Sequence, residues 1–128
     1  MKIKAIITLC LAAFLSPVLT GCVAVVVAGA AVGTYAYVKG ELKVNRDASL
    51  NRTWNASQAA LKDLKFTTTT QKKDALSGWL VAKTASDKKV EINLKKVTDA
   101  TTEIRIRVGT IGDEDLSKLI LQKIDQHL

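Results

Sequence analysis

The segment Val90–Val108, VEINLKKVTDATTEIRIRV, alternates apolar and polar residues, breaks, and then alternates again. Val90, Ile92 and Leu94 fall on one side, with Glu91, Asn93 and Lys95 on the other. Beyond the link KVTDAT, Ile104, Ile106 and Val108 oppose Glu103, Arg105 and Arg107. A period of two is that of a half-buried strand, and β-branched residues suit a pleated surface. The charged, Asp-containing link has the composition of a turn. An antiparallel pair with one wet face decides the fold, because its Val/Ile/Leu side demands a second layer to cover it.

Working outward, the same alternation predicts two earlier strands. Gly78–Thr84, GWLVAKT, turns Leu80 and Ala82 inward, and Phe66–Gln71, FTTTTQ, turns Phe66, Thr68 and Thr70 to the same side. KKDALS and ASDKK supply the turns between them. A fifth strand, ELKVN from Glu41, places Leu42 and Val44 inward. Two amphipathic helices provide the cover. The first runs from about Leu50 to Leu64, with Asp47 and Ser49 both offering N-caps. Leu50, Trp54, Leu61 and Leu64 share one face, beside the small Ser57 and Ala60. The second starts at Gly112-Asp113-Glu114-Asp115 and carries an apolar stripe of Leu116, Leu119, Ile120, Ile124 and Leu128. The order β-α-β-β-β-β-α predicts an α+β two-layer sandwich: an antiparallel sheet with both helices on one face, built from residues 40–128.

This arrangement exposes the opposite face. It collects Lys43, Asn45, Thr67, Thr69, Gln71, Trp79, Val81, Lys83, Glu91, Asn93, Lys95, Glu103, Arg105 and Arg107. The set is basic and threonine-rich, with one large aromatic. Trp79, Lys83, Lys95, Arg105 and Arg107 form its candidate ligand surface, suited to an anionic lipid headgroup or a glycan through stacking and charge-assisted hydrogen bonds. An ordinary solvated sheet face has the same appearance, with Trp79 and Val81 covered by the apolar tether or by a partner.

The N-terminal third has a different composition. Lys2 and Lys4 precede an apolar run from Ala5 to about Leu15, and Pro17 breaks it. A short basic start followed by roughly 11 apolar residues is the pattern of an export signal. Leu19-Thr20-Gly21-Cys22 follows, an aliphatic residue and two small ones ahead of a cysteine. It resembles the bacterial lipobox, which implies cleavage after Gly21 and acylation of Cys22. The expected organisation is a lipoprotein signal peptide over residues 1–21, a lipidated cysteine with an apolar Ala/Gly/Val tether over 22–39, and the domain over 40–128. An uncleaved membrane helix is the alternative. The uncharged region runs from Ala5 to Val38, well beyond the roughly 20 residues one span needs, and Pro17 and Gly21 interrupt it.

Val23–Val38 carries no charge and contains Gly29-Ala30-Ala31-Val32-Gly33, the spacing that lets apolar helices approach closely. As a helix it would reach only about 24 Å, short of a ~30 Å hydrocarbon layer. It reads either as a spacer or shallow insertion, with Tyr35 and Tyr37 at the interface, or as a self-associating segment.

The chain has 128 residues, 19 Lys and Arg against 12 Asp and Glu, and a formal net charge of +7. Loss of Lys2 and Lys4 with a signal peptide would leave roughly +5. In an exported protein the polyanions at hand are lipid headgroups and surface polysaccharides, so nucleic acid is not an expected partner. The only cysteines, Cys10 and Cys22, lie in the apolar third, so no disulfide or thiolate zinc site is expected in the domain.

Nothing in the sequence assembles a catalytic constellation. His127, the only histidine, stands at the end of the last helix, where it favours the dipole. Asp113, Glu114 and Asp115 fit the first turn of a helix better than a calcium cage. Asp63, Asp74, Asp87 and Asp99 fall at helix ends or turns. No enzyme activity, metal or cofactor is expected.

YAYVKGELK, LNRTWNASQAALKDL, KKDALSGWLVA and RVGTIGDEDLSKLILQKI, with the lipobox and the Ala/Gly-rich tether, resemble an uncharacterised family of small bacterial lipoproteins catalogued as a domain of unknown function. The resemblance implies an envelope location and this small α+β fold, and brings no active-site residues with it. The expected role is non-enzymatic binding or scaffolding at a membrane, reached through lipid on Cys22. Val23 stands where an aspartate would signal inner-membrane retention, so the outer membrane is the expected destination.

Overall fold

The computed structural model describes residues 35–128. Its elements are β1 (Ala36–Val38), β2 (Glu41–Arg46), α1 (Leu50–Asp63), β3 (Thr67–Lys73), β4 (Ser77–Lys83), β5 (Lys89–Thr98), β6 (Thr101–Val108) and α2 (Glu114–Gln126). The six strands form one sheet in the order β1-β2-β6-β5-β4-β3, antiparallel at every pairing. This is the expected α+β arrangement with both helices on one face, extended by a three-residue strand at the N-terminal edge.

The connections account for the order. From β2 the chain crosses the sheet through α1 to the far edge at β3. The meander β3-β4-β5-β6 then returns strand by strand until β6 pairs with β2, and α2 packs across β6 and β2. Inward side chains align in rows, such as Leu42, Ile106, Ile92 and Leu80, each directly opposite the next. All four are fully buried.

Ser49 is the N-cap of α1, its hydroxyl accepting from the Arg52 N–H at 3.2 Å. Ala56, Ser57 and Ala60 are buried, and their small side chains bring the helix close to its neighbours. Trp54 is half-buried over Gly78, where a Cβ would come within 2.7 Å of the indole Cε3. Polar groups taken inside are paired: the Ser57 hydroxyl donates to the Thr53 carbonyl at 2.8 Å, and that of Thr102 to the Ala48 carbonyl at 2.9 Å. Asp113 caps α2, accepting from the Leu116 N–H at 3.0 Å.

Three features differ from the sequence expectation. The sheet begins before residue 40: Ala36–Val38 pairs with β2, and the turn Lys39-Gly40 has positive φ at both positions (53° and 80°), the geometry of a tight hairpin. Tyr35 and Tyr37 thereby belong to the domain. The Tyr35 hydroxyl lies 3.3 Å from the Glu114 carboxylate, and Tyr37 packs against the core. In α2 the buried stripe is Ser117, Ile120, Leu121 and Ile124, while Leu119 is exposed. Spacing of i, i+3, i+4 and i+7 selects Leu121, and Leu119 lies one residue off that line.

The third difference is a β-bulge in β3. The register places Thr68 opposite Ala82 and then Thr70 opposite Val81, leaving Thr69 extra. One added residue reverses the side on which every later side chain points. Thr70 and Lys72 therefore stand on the helix-free face, and Gln71 turns to the helix side, where its carbonyl accepts from the Gln58 amide at 2.7 Å. Thr70 thus points outward and Gln71 inward, the reverse of what unbroken alternation predicts.

Candidate functional site

The helix-free face of the sheet is organised by cross-strand rows. Its central row reads Lys43, Arg105, Asn93, Trp79 and Lys72 from β2 through β6, β5 and β4 to β3. On one side lies Asn45, Glu103, Lys95 and Ser77, and on the other Glu41, Arg107, Glu91, Val81 and Thr70. Opposed side chains in such rows are near enough to interact directly.

Trp79 is half-buried, and the Lys72 ammonium lies 5.6 Å from its ring centroid, within cation–π range. At the other end of the row Arg105 is held by carboxylates. Its Nε donates to Glu103 at 2.6 Å and lies 4.0 Å from Glu41. Lys43 reaches the second Glu103 oxygen at 3.4 Å. Partial burial works to raise the Glu103 carboxyl, but Arg105 and Lys43 together outweigh it and hold the group below the usual carboxylate range. Among the described residues Lys95 has no carboxylate within ion-pair distance.

A groove of about 520 Å³ runs along this surface, lined by Trp79, Asn93, Lys95 and Arg105, with Glu41, Leu76 and Lys96 at its margins. Of the residues singled out by sequence, Trp79, Lys95 and Arg105 meet here. Lys83 does not: it stands at the far end of β4, paired with Asp87 at 3.2 Å. Arg107 belongs to a second groove, about 910 Å³, beneath the loop between β6 and α2. One Arg107 Nη donates to the carbonyls of Lys39 and Thr110, 3.4 Å each, tying two loops together. Val81 is buried although it points to the helix-free side.

Lys72 escaped the sequence reading, since nothing in TTTTQKK marks the bulge that turns it beside Trp79. Alternation puts Asn93 and Glu103 on this face but assigns them no role. Only the register makes one a neighbour of Trp79 and the other the clamp on Arg105.

Elsewhere, His127 bridges the helices, its Nε2 lying 2.6 Å from the Asp63 carboxylate at the end of α1. Asp113 is held below the usual carboxylate range chiefly by the Leu116 N–H, with Lys88 assisting at 3.2 Å. Among the described residues no group of three or more His, Cys, Asp and Glu is placed to hold a metal ion, and no helix is long and apolar enough to cross a membrane. Leu19, Thr20, Gly21 and Cys22 lie outside the described residues.

A family model described as "Protein of unknown function (DUF3568)" matches residues 4–127, and the chain belongs to that family. The match extends through the apolar N-terminal third as well as the α+β domain. No curated protein matches the chain.

Proposed function

We propose, with membership of this family as the premise, that the protein is a lipid-anchored component of a bacterial envelope that acts by binding and not by catalysis. In this reading the helix-free sheet face makes the contact and acyl chains on Cys22 hold the domain at the membrane. One observation carries the binding half: the row Arg105, Asn93, Trp79 and Lys72 lines up cation, amide, indole and cation across four strands beside a groove. An aromatic face flanked by ammonium and guanidinium groups suits a partner that presents anionic groups on a sugar or a lipid headgroup. The anchoring half rests on Leu19-Thr20-Gly21-Cys22 behind a basic start and an apolar run. Two or more acyl chains, at about 0.8 kcal/mol per buried CH₂, anchor a protein durably without a spanning helix.

Both halves have direct tests. Intact mass of the protein extracted from membranes, with Cys22→Ser as control, should show a chain that begins at residue 22 and carries acyl groups. An unmodified full-length mass refutes the anchor. For the binding half, the extracted chain is titrated at low salt with an acidic oligosaccharide in one arm and anionic vesicles in the other, following indole fluorescence. Saturable binding in either arm that weakens when Trp79→Ala and Arg105→Ser are combined supports the reading. No binding in both arms refutes it.

A further inference from the structure

At the end of the sheet where β3 turns into β4 and β5 into β6, two hairpin tips lie side by side, joined by a hydrogen bond from the Lys96 N–H to the Leu76 carbonyl at 2.8 Å. Each tip offers one large apolar side chain to solvent. Leu76 is 66% exposed and Val97 52%. Val97 stands out because the ladder between β5 and β6 slips between Lys96 and Thr98. Lysines flank the pair on both sides. Lys72 and Lys95, opposite Trp79 and Ser77, lie on the helix-free face, while Lys73 and Lys96, opposite Gly78 and Thr102, lie on the helix face.

The two carboxylates at these tips are already engaged. Asp74 accepts from the N–H groups of Leu76 and Ser77 at 2.7 and 2.8 Å, and Asp99 pairs with Lys96 at 2.7 Å. Among the described residues Lys72, Lys73 and Lys95 have no carboxylate within ion-pair distance.

We propose that these tips dock the domain on an anionic lipid bilayer, with Leu76 and Val97 entering the interface and Lys72, Lys73 and Lys95 meeting headgroup phosphates. The shape favours a bilayer over a protein partner. Two apolar side chains at the points of projecting turns offer little area, whereas a specific protein interface buries about 800 Å² on each side. Separate apolar points ringed by long, flexible cations suit a fluid anionic surface. Trp79, a short step along β4, lies where an interfacial indole belongs. The inference rests on the membrane-anchored reading in one respect, that the anchor keeps a bilayer within reach. From Cys22 to Tyr35 an extended chain covers up to about 45 Å at ~3.3–3.6 Å per residue, enough to present any side of so small a domain.

The test uses the full chain with Cys10 and Cys22 replaced by serine, and single cysteines at Leu76, Val97 or Ile111 carrying a polarity-sensitive dye. Ile111 is the control: it is 90% exposed but sits at the opposite end of the sheet. The chains are mixed with phosphatidylcholine vesicles with and without phosphatidylglycerol, and near-UV circular dichroism verifies each fold. Blue shifts and quenching by brominated lipid at 76 and 97, greater with phosphatidylglycerol and absent at 111, are expected. Each Lys→Gln change among 72, 73 and 95 should weaken the anionic response about fivefold. Solvent-like dyes at 76 and 97, equal response in neutral vesicles, or equal response at 111 each overturn the proposal. So does shielding that appears only on adding envelope proteins, which would assign the tips to a protein partner. Because Cys22 is absent, a negative result leaves the intact-mass test of the anchor independent.

Discussion

Three glycines allow backbone strain and steric clash to be measured separately in one small domain. Gly109, at φ +69°, has no atom within 4 Å of where a Cβ would stand. Gly109→Ala therefore carries only the left-handed backbone penalty of about 1 kcal/mol. Gly78 has no positive φ, but its Cβ would lie 2.7 and 2.9 Å from two Trp54 ring atoms. Gly78→Ala must displace a side chain that can give way, at about 1–3 kcal/mol. Gly112 combines both: at φ +98°, its Cβ would run into the Gly40 Cα and come within 2.6 Å of the Gly40 carbonyl and the Tyr37 hydroxyl. Backbone cannot swing aside as a ring can, so Gly112→Ala should cost the strain plus at least as large a clash, about 3–4 kcal/mol. Thermal unfolding of the extracted chain, followed by circular dichroism, reads these as Tm losses of about 4–8 °C per kcal/mol for a domain of this size. The order should be Gly112→Ala worst, Gly78→Ala intermediate and Gly109→Ala mildest. Equal losses at 109 and 112 would refute the close approach of the β1–β2 turn to the loop before α2, and with it the place of β1 in the sheet.

Other expectations follow from single contacts. Thr102→Val keeps the shape but leaves the buried Ala48 carbonyl without its 2.9 Å partner, and urea titration should show a loss of about 1–2 kcal/mol. Arg46, the last residue of β2, grips both oxygens of Asp125 in the last turn of α2 at 2.7 and 2.9 Å. A double-mutant cycle with Arg46→Met and Asp125→Asn should give a coupling of about 1 kcal/mol, and zero coupling counts against the bidentate pair. Glu103 has a lowered folded pKa, so its contribution is present above the unfolded value of about 4.3 and is lost as pH falls through the folded one. Between pH 6 and 3 the wild-type Tm should therefore fall more steeply than that of Glu103→Gln; parallel curves contradict the clamp on Arg105 and Lys43. Lys72→Gln should change the emission of Trp79 in a Trp54→Phe background, since the ammonium stands over that ring, and an unchanged spectrum argues against the bulge-directed pairing.

Much of this domain was legible because its elements announce themselves locally. Period-two alternation in Val90–Val108 specifies two strands and their inner faces, and Gly112-Asp113-Glu114 marks the start of α2. What escaped has physical reasons. Ala36–Val38 is three residues of an apolar run with no alternation to betray it, and pairing with β2 alone makes it a strand. The bulge in β3 sits in a run of four threonines, where no contrast between neighbours reveals a slipped residue. Leu119 and Leu121 are chemically equivalent; helical spacing counted from Leu116 takes in Leu119 and counted from Ser117 takes in Leu121, and packing on the sheet adopts the second.

The candidate site divides in the same way. Alternation alone determines that Trp79, Asn93, Lys95 and Arg105 share a face, because successive side chains on a strand must point to opposite sides. Residues 2–22 are read from composition alone, as a basic start, an apolar run and a cysteine behind two small residues, and that reading needs no fold. Which of the outward residues touch is a matter of strand order and register. α1 carries the chain from β2 to the far edge, so β6 returns beside β2 and Arg105 meets Glu41 and Lys43 from across the sequence. Tertiary structure likewise sets Leu76 and Val97 on adjacent tips, since neighbouring turns are brought together by backbone hydrogen bonds between strands and by nothing local to either turn.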